Sequence, residues 1–160
     1  MIPDYCPIPP TPKKLKITYG WYIYTIYAQL IFNIYLAVYN GCVRRPIEAP
    51  LISVCHSIFI AFILYNVLKK RTHFAWVMLA YYILMRLYYA NVLHIEFNAW
   101  SRGLVFIFLT LLFTGTVAVG QLATPPLRQD WLARLGWRQW ATLAALSGLL
   151  TPLITSDYLG

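Results

Sequence analysis

The chain has 160 residues, of which 60% are hydrophobic and only 11% are charged. Soluble domains carry roughly 25% charged residues, so a water-facing surface cannot cover this chain, and lipid is expected to surround much of it. The net charge of +8 lies in short clusters at the ends of apolar runs, which is typical of membrane proteins. Nucleic acid would need a continuous basic face, and we therefore expect no nucleic-acid partner.

The first 17 residues are predicted to form a proline-rich cytoplasmic arm. Five of the first twelve residues are prolines, which can neither continue a helix nor pair inside a sheet. An extended, partly polyproline-like conformation is therefore expected. Lys13, Lys14 and Lys16 lie at the end of this arm.

Four apolar runs occupy residues 18–123, and each is predicted to be a membrane-spanning helix. A helix of about 20 residues rises about 30 Å, which matches the hydrocarbon layer of a bilayer. The predicted spans are 20–39, 51–68, 74–93 and 103–123. Because the connections are short, the helices are expected to pack as an antiparallel up-down bundle. The predicted fold class is thus all-α, a polytopic four-helix transmembrane bundle.

Residues 124–160 are predicted to begin with an amphipathic helix that lies in the headgroup layer. In the stretch from Leu127 to Trp140, Asp130, Arg134 and Arg138 recur every four residues and so share one helical face. Leucine and tryptophan side chains line another face. A basic helix with such an apolar face lies flat at the membrane surface.

The last apolar segment, Ala141–Ile154, is predicted to be re-entrant or interfacial. It has only 14 residues, and Gly148 and Pro152 are expected to interrupt it. That length is short for a membrane span. A short fifth span is the alternative interpretation.

The distribution of lysine and arginine predicts the orientation. With the N-terminus in the cytoplasm, nine of these residues fall on the cytoplasmic side and three on the other. The nine are Lys13, Lys14, Lys16, Lys69, Lys70, Arg71, Arg128, Arg134 and Arg138, and the three are Arg44, Arg45 and Arg102. The positive-inside rule therefore places both termini in the cytoplasm, and we expect the membrane to be a bacterial inner membrane.

The tryptophans are predicted to anchor the protein at the membrane–water interfaces, where amphipathic rings prefer to lie. Each stands near the start of a span or within the surface helix. They are Trp21, Trp76, Trp100, Trp131, Trp137 and Trp140.

Arg86 lies inside the third predicted span, slightly outside its midplane. A charge there costs at least about 2.5 kcal/mol, and none of the five acidic residues lies inside a span. Neutral groups are therefore expected to serve it: Gln29 and Asn33, four residues apart on the first span, with His56 on the second. Three interpretations stay open, namely a structural lock between helices, a site for an anion or lipid headgroup, and a contact with a partner protein.

Small residues on the fourth span are predicted to form a helix-packing face. Thr110, Thr114 and Ala118 recur every four residues, and Gly115 lies beside them. Small side chains let helix backbones approach closely. Packing within the chain is the favoured interpretation, and self-association is the alternative.

His56 and His94 fall in the outer halves of the second and third spans. Two such histidines on facing helices could ligate a haem or a metal. Polar residues near helix ends more often satisfy backbone groups or meet headgroup water. We therefore expect no cofactor, with a haem or metal site as the less favoured alternative.

The sequence contains no GxSxG elbow, no HExxH pair and no glycine-rich phosphate loop, so we do not expect an enzyme. The favoured function is protein–protein contact in the bilayer, as an accessory subunit, an assembly factor or an immunity-type protein. One alternative is a small oligomeric channel or carrier with Arg86 along an anion pathway. The other is a protein that binds lipid or haem.

Overall fold

The structure is a computed structural model that describes residues 13–43, 47–123 and 137–156, with residues 14 and 137–140 described by their backbone alone. All the secondary structure in these ranges is helical, which confirms the predicted all-α class. The helices are α1 (Lys13–Cys42), α2 (Glu48–Leu68), α3 (Thr72–Asn91), α4 (Ala99–Ala123) and α5 (Trp137–Thr155).

α1 begins earlier than the sequence analysis predicts. The arm was expected to reach residue 17, but residues 13–17 form the first turn of α1. Lysine is a good helix former, and the last proline of the arm, Pro12, comes immediately before the helix. The rest of the predicted arm, residues 1–12, lies outside the described residues.

Three helical segments are long and apolar enough to cross a membrane: Leu15–Cys42 within α1, Glu48–Leu68 and Ala99–Ala123. α3 has the length of a span, with 20 residues, but it contains Arg86 and is not among these three segments. The crossing of the membrane by α3 therefore stays a prediction. The three apolar helices are consistent with a membrane-embedded protein.

α1 to α4 form a closed ring. α1 packs against α2 and α4, and α3 also packs against α2 and α4. α5 lies outside the ring, in the groove between α3 and α4. The ring encloses a core to which all four helices contribute. Its fully buried members include Tyr22, Ile26, Ile60, Ile63, Met78, Leu109, Leu112 and Val119.

Side-chain hydrogen bonds join the helices at one end of the ring. The Tyr19 hydroxyl donates to the Val67 carbonyl at 3.4 Å. The Tyr22 hydroxyl donates to the Ala75 carbonyl at 3.3 Å. The Thr116 hydroxyl donates to the Leu112 carbonyl at 2.7 Å and lies 3.3 Å from the same Ala75 oxygen. These bonds bring together the start of α1, the end of α2, the start of α3 and the second half of α4.

Large apolar side chains cover much of the outer surface. Ile31 and Tyr35 of α1, Ile58 of α2 and Leu84 of α3 are between 58% and 65% exposed. In water such a surface would be an aggregation hazard. In a bilayer it would contact lipid, so the exposed faces agree with the membrane setting that the composition predicts.

The structure corrects the predicted interruption of the last apolar segment. α5 runs without a break through Gly148 and Pro152. Pro152 stands near the C-terminal end of the helix, where its missing N–H group costs one intrahelical bond. The hydroxyls of Ser147 and Thr151 donate to main-chain carbonyls one turn earlier, at 2.9 and 2.7 Å. The apolar part of α5, Ala141–Thr155, is shorter than the three candidate spans.

The amphipathic surface helix falls mainly outside the described residues, which resume at Trp137. The backbone of residues 137–140 belongs to α5, so the predicted boundary after Trp140 does not separate two helices. Trp131 and the side chains of Trp137 and Trp140 lie outside the described part of the chain.

Candidate functional site

Arg86 lines a cavity of about 490 Å³ between α1, α3 and α4. α1 supplies one wall, α3 the opposite one, and α4 with the preceding loop closes the third side. Most of the lining is apolar or aromatic. The described lining residues are Ala28, Gln29, Phe32, Asn33, Tyr81, Tyr82, Met85, Arg86, Tyr89, Phe97, Ser101, Leu104, Val105 and Phe108.

Aromatic rings hold the Arg86 guanidinium. Its carbon Cζ lies 4.8 Å from the centroid of the Tyr82 ring and 5.8 Å from that of Tyr89. Tyr82 precedes Arg86 by four residues and Tyr89 follows it by three, so the three side chains share one helical face. A guanidinium at this distance is attracted by the electron-rich faces of the rings. Phe108 of α4 stacks against Tyr82, with centroids 6.3 Å apart.

The hydrogen-bonding capacity of Arg86 is only partly used. Its Nε atom is buried and has no hydrogen-bond partner. None of the described residues that line the cavity is acidic. Leaving a buried donor unpaired costs roughly 1–3 kcal/mol, and more when the group is charged. The cavity therefore contains a cation and no anion to match it.

Gln29 lines the cavity from α1, and it too has a buried donor without a hydrogen-bond partner. Its side chain is 8% exposed, and its Nε2 atom is buried without a hydrogen-bond partner. Asn33, one turn later, differs from it because its Nδ2 atom donates to the main-chain carbonyl of Gln29 at 2.9 Å. The structure thus brings Arg86, Gln29 and Asn33 to one cavity, with unpaired donors on the first two.

His56 lies behind the cavity wall and not in its lining. Its Nδ1 atom is hydrogen-bonded to the Tyr81 hydroxyl at 2.5 Å, across the α2–α3 contact. Tyr81 lines the cavity and also packs against Phe59, with ring centroids 5.0 Å apart. His56 therefore positions one tyrosine of the wall.

His94 follows the end of α3, with a positive φ of 47°. Among residues other than glycine, histidine is one of those that adopt a positive φ more often than most. Within the described ranges, no group of three or more histidine, cysteine, aspartate or glutamate side chains could hold a metal ion. The haem or metal site between His56 and His94 stays a prediction.

The predicted packing face of α4 lies mostly inside the ring. Thr114 and Ala118 are buried, and Thr110 is half-buried. Gly115 lies directly against the Tyr22 side chain, where a Cβ atom would overlap with Cβ, Cγ and Cδ2 of the tyrosine. This part of the face thus serves the α1–α4 contact within the chain.

Of the predicted interface anchors, Trp21, Trp76 and Trp100 are described, and all three are exposed, at 59%, 56% and 85%. Each stands in the first third of its helix. Side chains placed there are free to meet headgroups. Their role as anchors stays a prediction.

The aromatic lining of the cavity was not predicted from the sequence. A signal was present for Tyr82 and Tyr89, since both lie about one turn from Arg86 on the same helical face. No comparable signal marks Phe97 or Phe108, because their position depends on how α4 is rotated against α3.

No protein-family model matches the chain, and no curated protein or solved structure is significantly similar to it. The cavity and its unpaired donors are therefore the main observations that bear on function.

Proposed function

We propose that the protein is an integral membrane protein that binds an anionic amphipathic molecule in the cavity, with Arg86 as the counter-ion. One observation carries this proposal: the Arg86 guanidinium faces a cavity without an acidic residue in its described lining, and its Nε atom has no partner. A bound anion would supply the missing charge. Hydrogen bonds between a guanidinium and an anion are roughly twice as strong as those between neutral groups.

The shape and chemistry of the cavity support a small molecule as the ligand. Its volume of about 490 Å³ lies within the roughly 300–1,000 Å³ of pockets that hold drug-sized ligands. Such pockets have mainly apolar walls with a few polar groups that orient the ligand. Here the polar groups are Arg86, Gln29 and Asn33, and the aromatic rings would hold an apolar body.

Binding without catalysis fits the lining better than a reaction. The described lining includes no carboxylate, histidine or cysteine, and an arginine does not give up its proton in proteins. General acid–base catalysis most often relies on histidine or a carboxylate; tyrosine also serves in it, and the tyrosines of the lining are the groups that would have to do so here. The non-enzymatic character that the sequence predicts is therefore part of the proposal.

A membrane-protein partner, the function that the sequence favours, fits the cavity less well. A helix with its side chains is about 10–12 Å across, and a cavity of about 490 Å³ would admit one side chain of such a partner but not its backbone. Accessory-subunit, assembly-factor, immunity-type and anion-pathway functions stay predictions.

In the proposed membrane arrangement, α1 to α4 are the four spans and both termini lie in the cytoplasm of a bacterial cell. The closed ring of α1 to α4 supports four spans, because a ring member that stayed outside the bilayer would leave its neighbours uncovered. The charge of Arg86 in α3 is compatible with crossing, since Arg86 lines the cavity and charged residues in spans usually face the protein interior.

Native cysteines test the orientation. Cys42, at the outer end of α1, is exposed, and we expect it to react with a membrane-impermeant maleimide added to intact cells. Cys6, in the predicted cytoplasmic arm, should react only after permeabilisation. The two variants are Cys6→Ser/Cys55→Ser, which keeps Cys42, and Cys42→Ser/Cys55→Ser, which keeps Cys6. The opposite labelling pattern would place the termini outside.

The ligand itself is tested by native mass spectrometry of the full chain after mild detergent extraction. We expect a bound anionic mass on the wild type that is lost in Arg86→Gln, with affinity falling about 10- to 150-fold, as for one lost charged hydrogen bond. Arg102→Gln is the matched control, because Arg102 is exposed and does not line the cavity. Equal occupancy in wild type and Arg86→Gln would contradict the proposal.

A further inference from the structure

Two unpaired donors are buried in the walls of the cavity. Arg86 Nε belongs to α3 and Gln29 Nε2 to α1, and both atoms are buried without a hydrogen-bond partner. An N–H donor needs an acceptor with a free lone pair. Both atoms are enclosed by their surroundings, so each side chain must turn toward the cavity before a ligand can accept from it. An ionised carboxylate suits these donors, because it has two acceptor oxygens and no competing donor.

Asn33 has a different role from Gln29, although both line the cavity. The Asn33 Nδ2 atom already donates to the Gln29 main-chain carbonyl. Gln29 has the side-chain nitrogen that is buried and unsatisfied. The two amides are therefore not equivalent, because Gln29 has no side-chain hydrogen bond from its nitrogen to give up when a ligand binds, whereas Asn33 does.

The charge of the lining sets the charge of the ligand. Arg86 is the only charged side chain among the described lining residues. A single negative charge would be neutralised by it. A phosphate monoester carries about −1.5 to −2 at pH 7, and its excess charge would remain uncompensated in a low-dielectric site, where charge burial is costly.

Building on the proposed function, we propose that the ligand is a singly charged carboxylate with one apolar body, and that Gln29 determines its selection. The carboxylate lies between Arg86 and Gln29, and the body lies along the aromatic wall formed by Tyr82, Tyr89 and Phe108. A phosphodiester lipid also has one charge, and because the cavity is partly open its acyl chains need not fit inside it. The experiment therefore compares such a lipid directly with the carboxylates.

Gln29→Leu is expected to lower the affinity for a carboxylate without lowering the melting temperature of the unliganded protein. This substitution keeps the approximate volume of the side chain and removes the buried donor. Without ligand, the melting temperature should rise or stay the same, because an unsatisfied buried group has been removed. Affinity for a carboxylate should fall about 10- to 100-fold. A Gln29 that only held helices together would instead lower the melting temperature and leave affinity unchanged.

The experiment uses the full chain in nanodiscs of neutral phosphatidylcholine, with dissociation constants from ligand-induced shifts in melting temperature. The carboxylate probes are dodecanoate and pyrenebutyrate. Their methyl esters test the need for charge, dodecyl phosphate tests the monoester, and phosphatidylglycerol tests the two-chain phosphodiester. We expect at least one carboxylate to bind at least tenfold more tightly than each of the other probes. Arg102→Gln is the control and should keep this preference, because Arg102 is exposed and does not line the cavity.

The possible results distinguish a wrong carboxylate assignment from a wrong proposed function. If no anionic probe binds the wild type and no anionic mass co-purifies with it, both are overturned. If dodecyl phosphate or phosphatidylglycerol binds through Arg86 as tightly as any carboxylate, only the carboxylate assignment is overturned. If a carboxylate binds equally well to wild type and Gln29→Leu, the role of Gln29 is overturned.

Discussion

Replacing Gly115 with alanine is expected to destabilise the folded protein by about 1–3 kcal/mol, the usual cost of overpacking a core. The added Cβ atom would overlap with Tyr22, a fully buried side chain whose hydroxyl is bonded to the Ala75 carbonyl. Relief therefore requires α1 and α4 to separate or the tyrosine to leave its place in the core. Thermal unfolding in detergent, followed by circular dichroism, measures the loss.

The same substitution elsewhere on α4 provides the control for this prediction. A Cβ atom at Gly103 would meet nothing within 4 Å, so Gly103→Ala should be neutral or stabilising by up to about 1 kcal/mol through helix propensity. In a Tyr22→Ala background, the penalty of Gly115→Ala should become smaller, as expected for two residues in direct contact, but it should not vanish, because the overlap with the Cβ atom of residue 22 remains. Equal effects of the two glycine substitutions would contradict the packing argument.

Arg86→Leu is expected to favour insertion of the third span while abolishing ligand binding. On insertion scales, arginine at the centre of a span costs about 2.5–3.5 kcal/mol and leucine gains about 0.3–0.6 kcal/mol. The apparent insertion free energy of α3 should therefore become more favourable by roughly 3–4 kcal/mol, a difference that glycosylation mapping during translation can measure. Ligand affinity should fall because the only charged group of the described lining is gone.

This prediction separates two interpretations of Arg86. If Arg86 is a structural lock between helices, Arg86→Leu lowers the melting temperature of the unliganded protein. If it is a binding group, the melting temperature rises or stays the same. Arg102→Leu is the control, since Arg102 is exposed near the start of α4 and a charge near a helix end costs little. A lower melting temperature in Arg86→Leu alone would favour the lock.

Hydropathy was sufficient to predict most of the helices. The predicted spans 20–39, 51–68 and 103–123 lie inside α1, α2 and α4, and 74–93 overshoots the end of α3 by two residues. Apolar runs of this length have few other ways to satisfy their backbone groups in lipid. α5 was predicted less well, because a proline near a helix end ends some helices and is accommodated in others.

The candidate site was only partly accessible from the sequence. Arg86 is conspicuous as a charge in an apolar run, and the four-residue spacing of Gln29 and Asn33 places them on one helical face. That these residues line one cavity depends on the rotation and spacing of whole helices. Whether the side-chain nitrogens of Gln29 and Asn33 have hydrogen-bond partners depends on side-chain conformation. Hydrophobic periodicity carries no information about that.

The side-chain hydrogen bonds described between α1 and its neighbours have a consequence for which ligands the protein tolerates. Tyr19 and Tyr22 make them in the first third of α1, whereas Phe32 and Asn33 of the cavity wall belong to its second half. Displacing that second half breaks none of these bonds, while displacing the α3 wall disturbs the bond between Tyr81 and His56. Extra ligand bulk that faces α1 should therefore reduce affinity little, because that wall can move. Extra bulk that faces α3 should reduce affinity more.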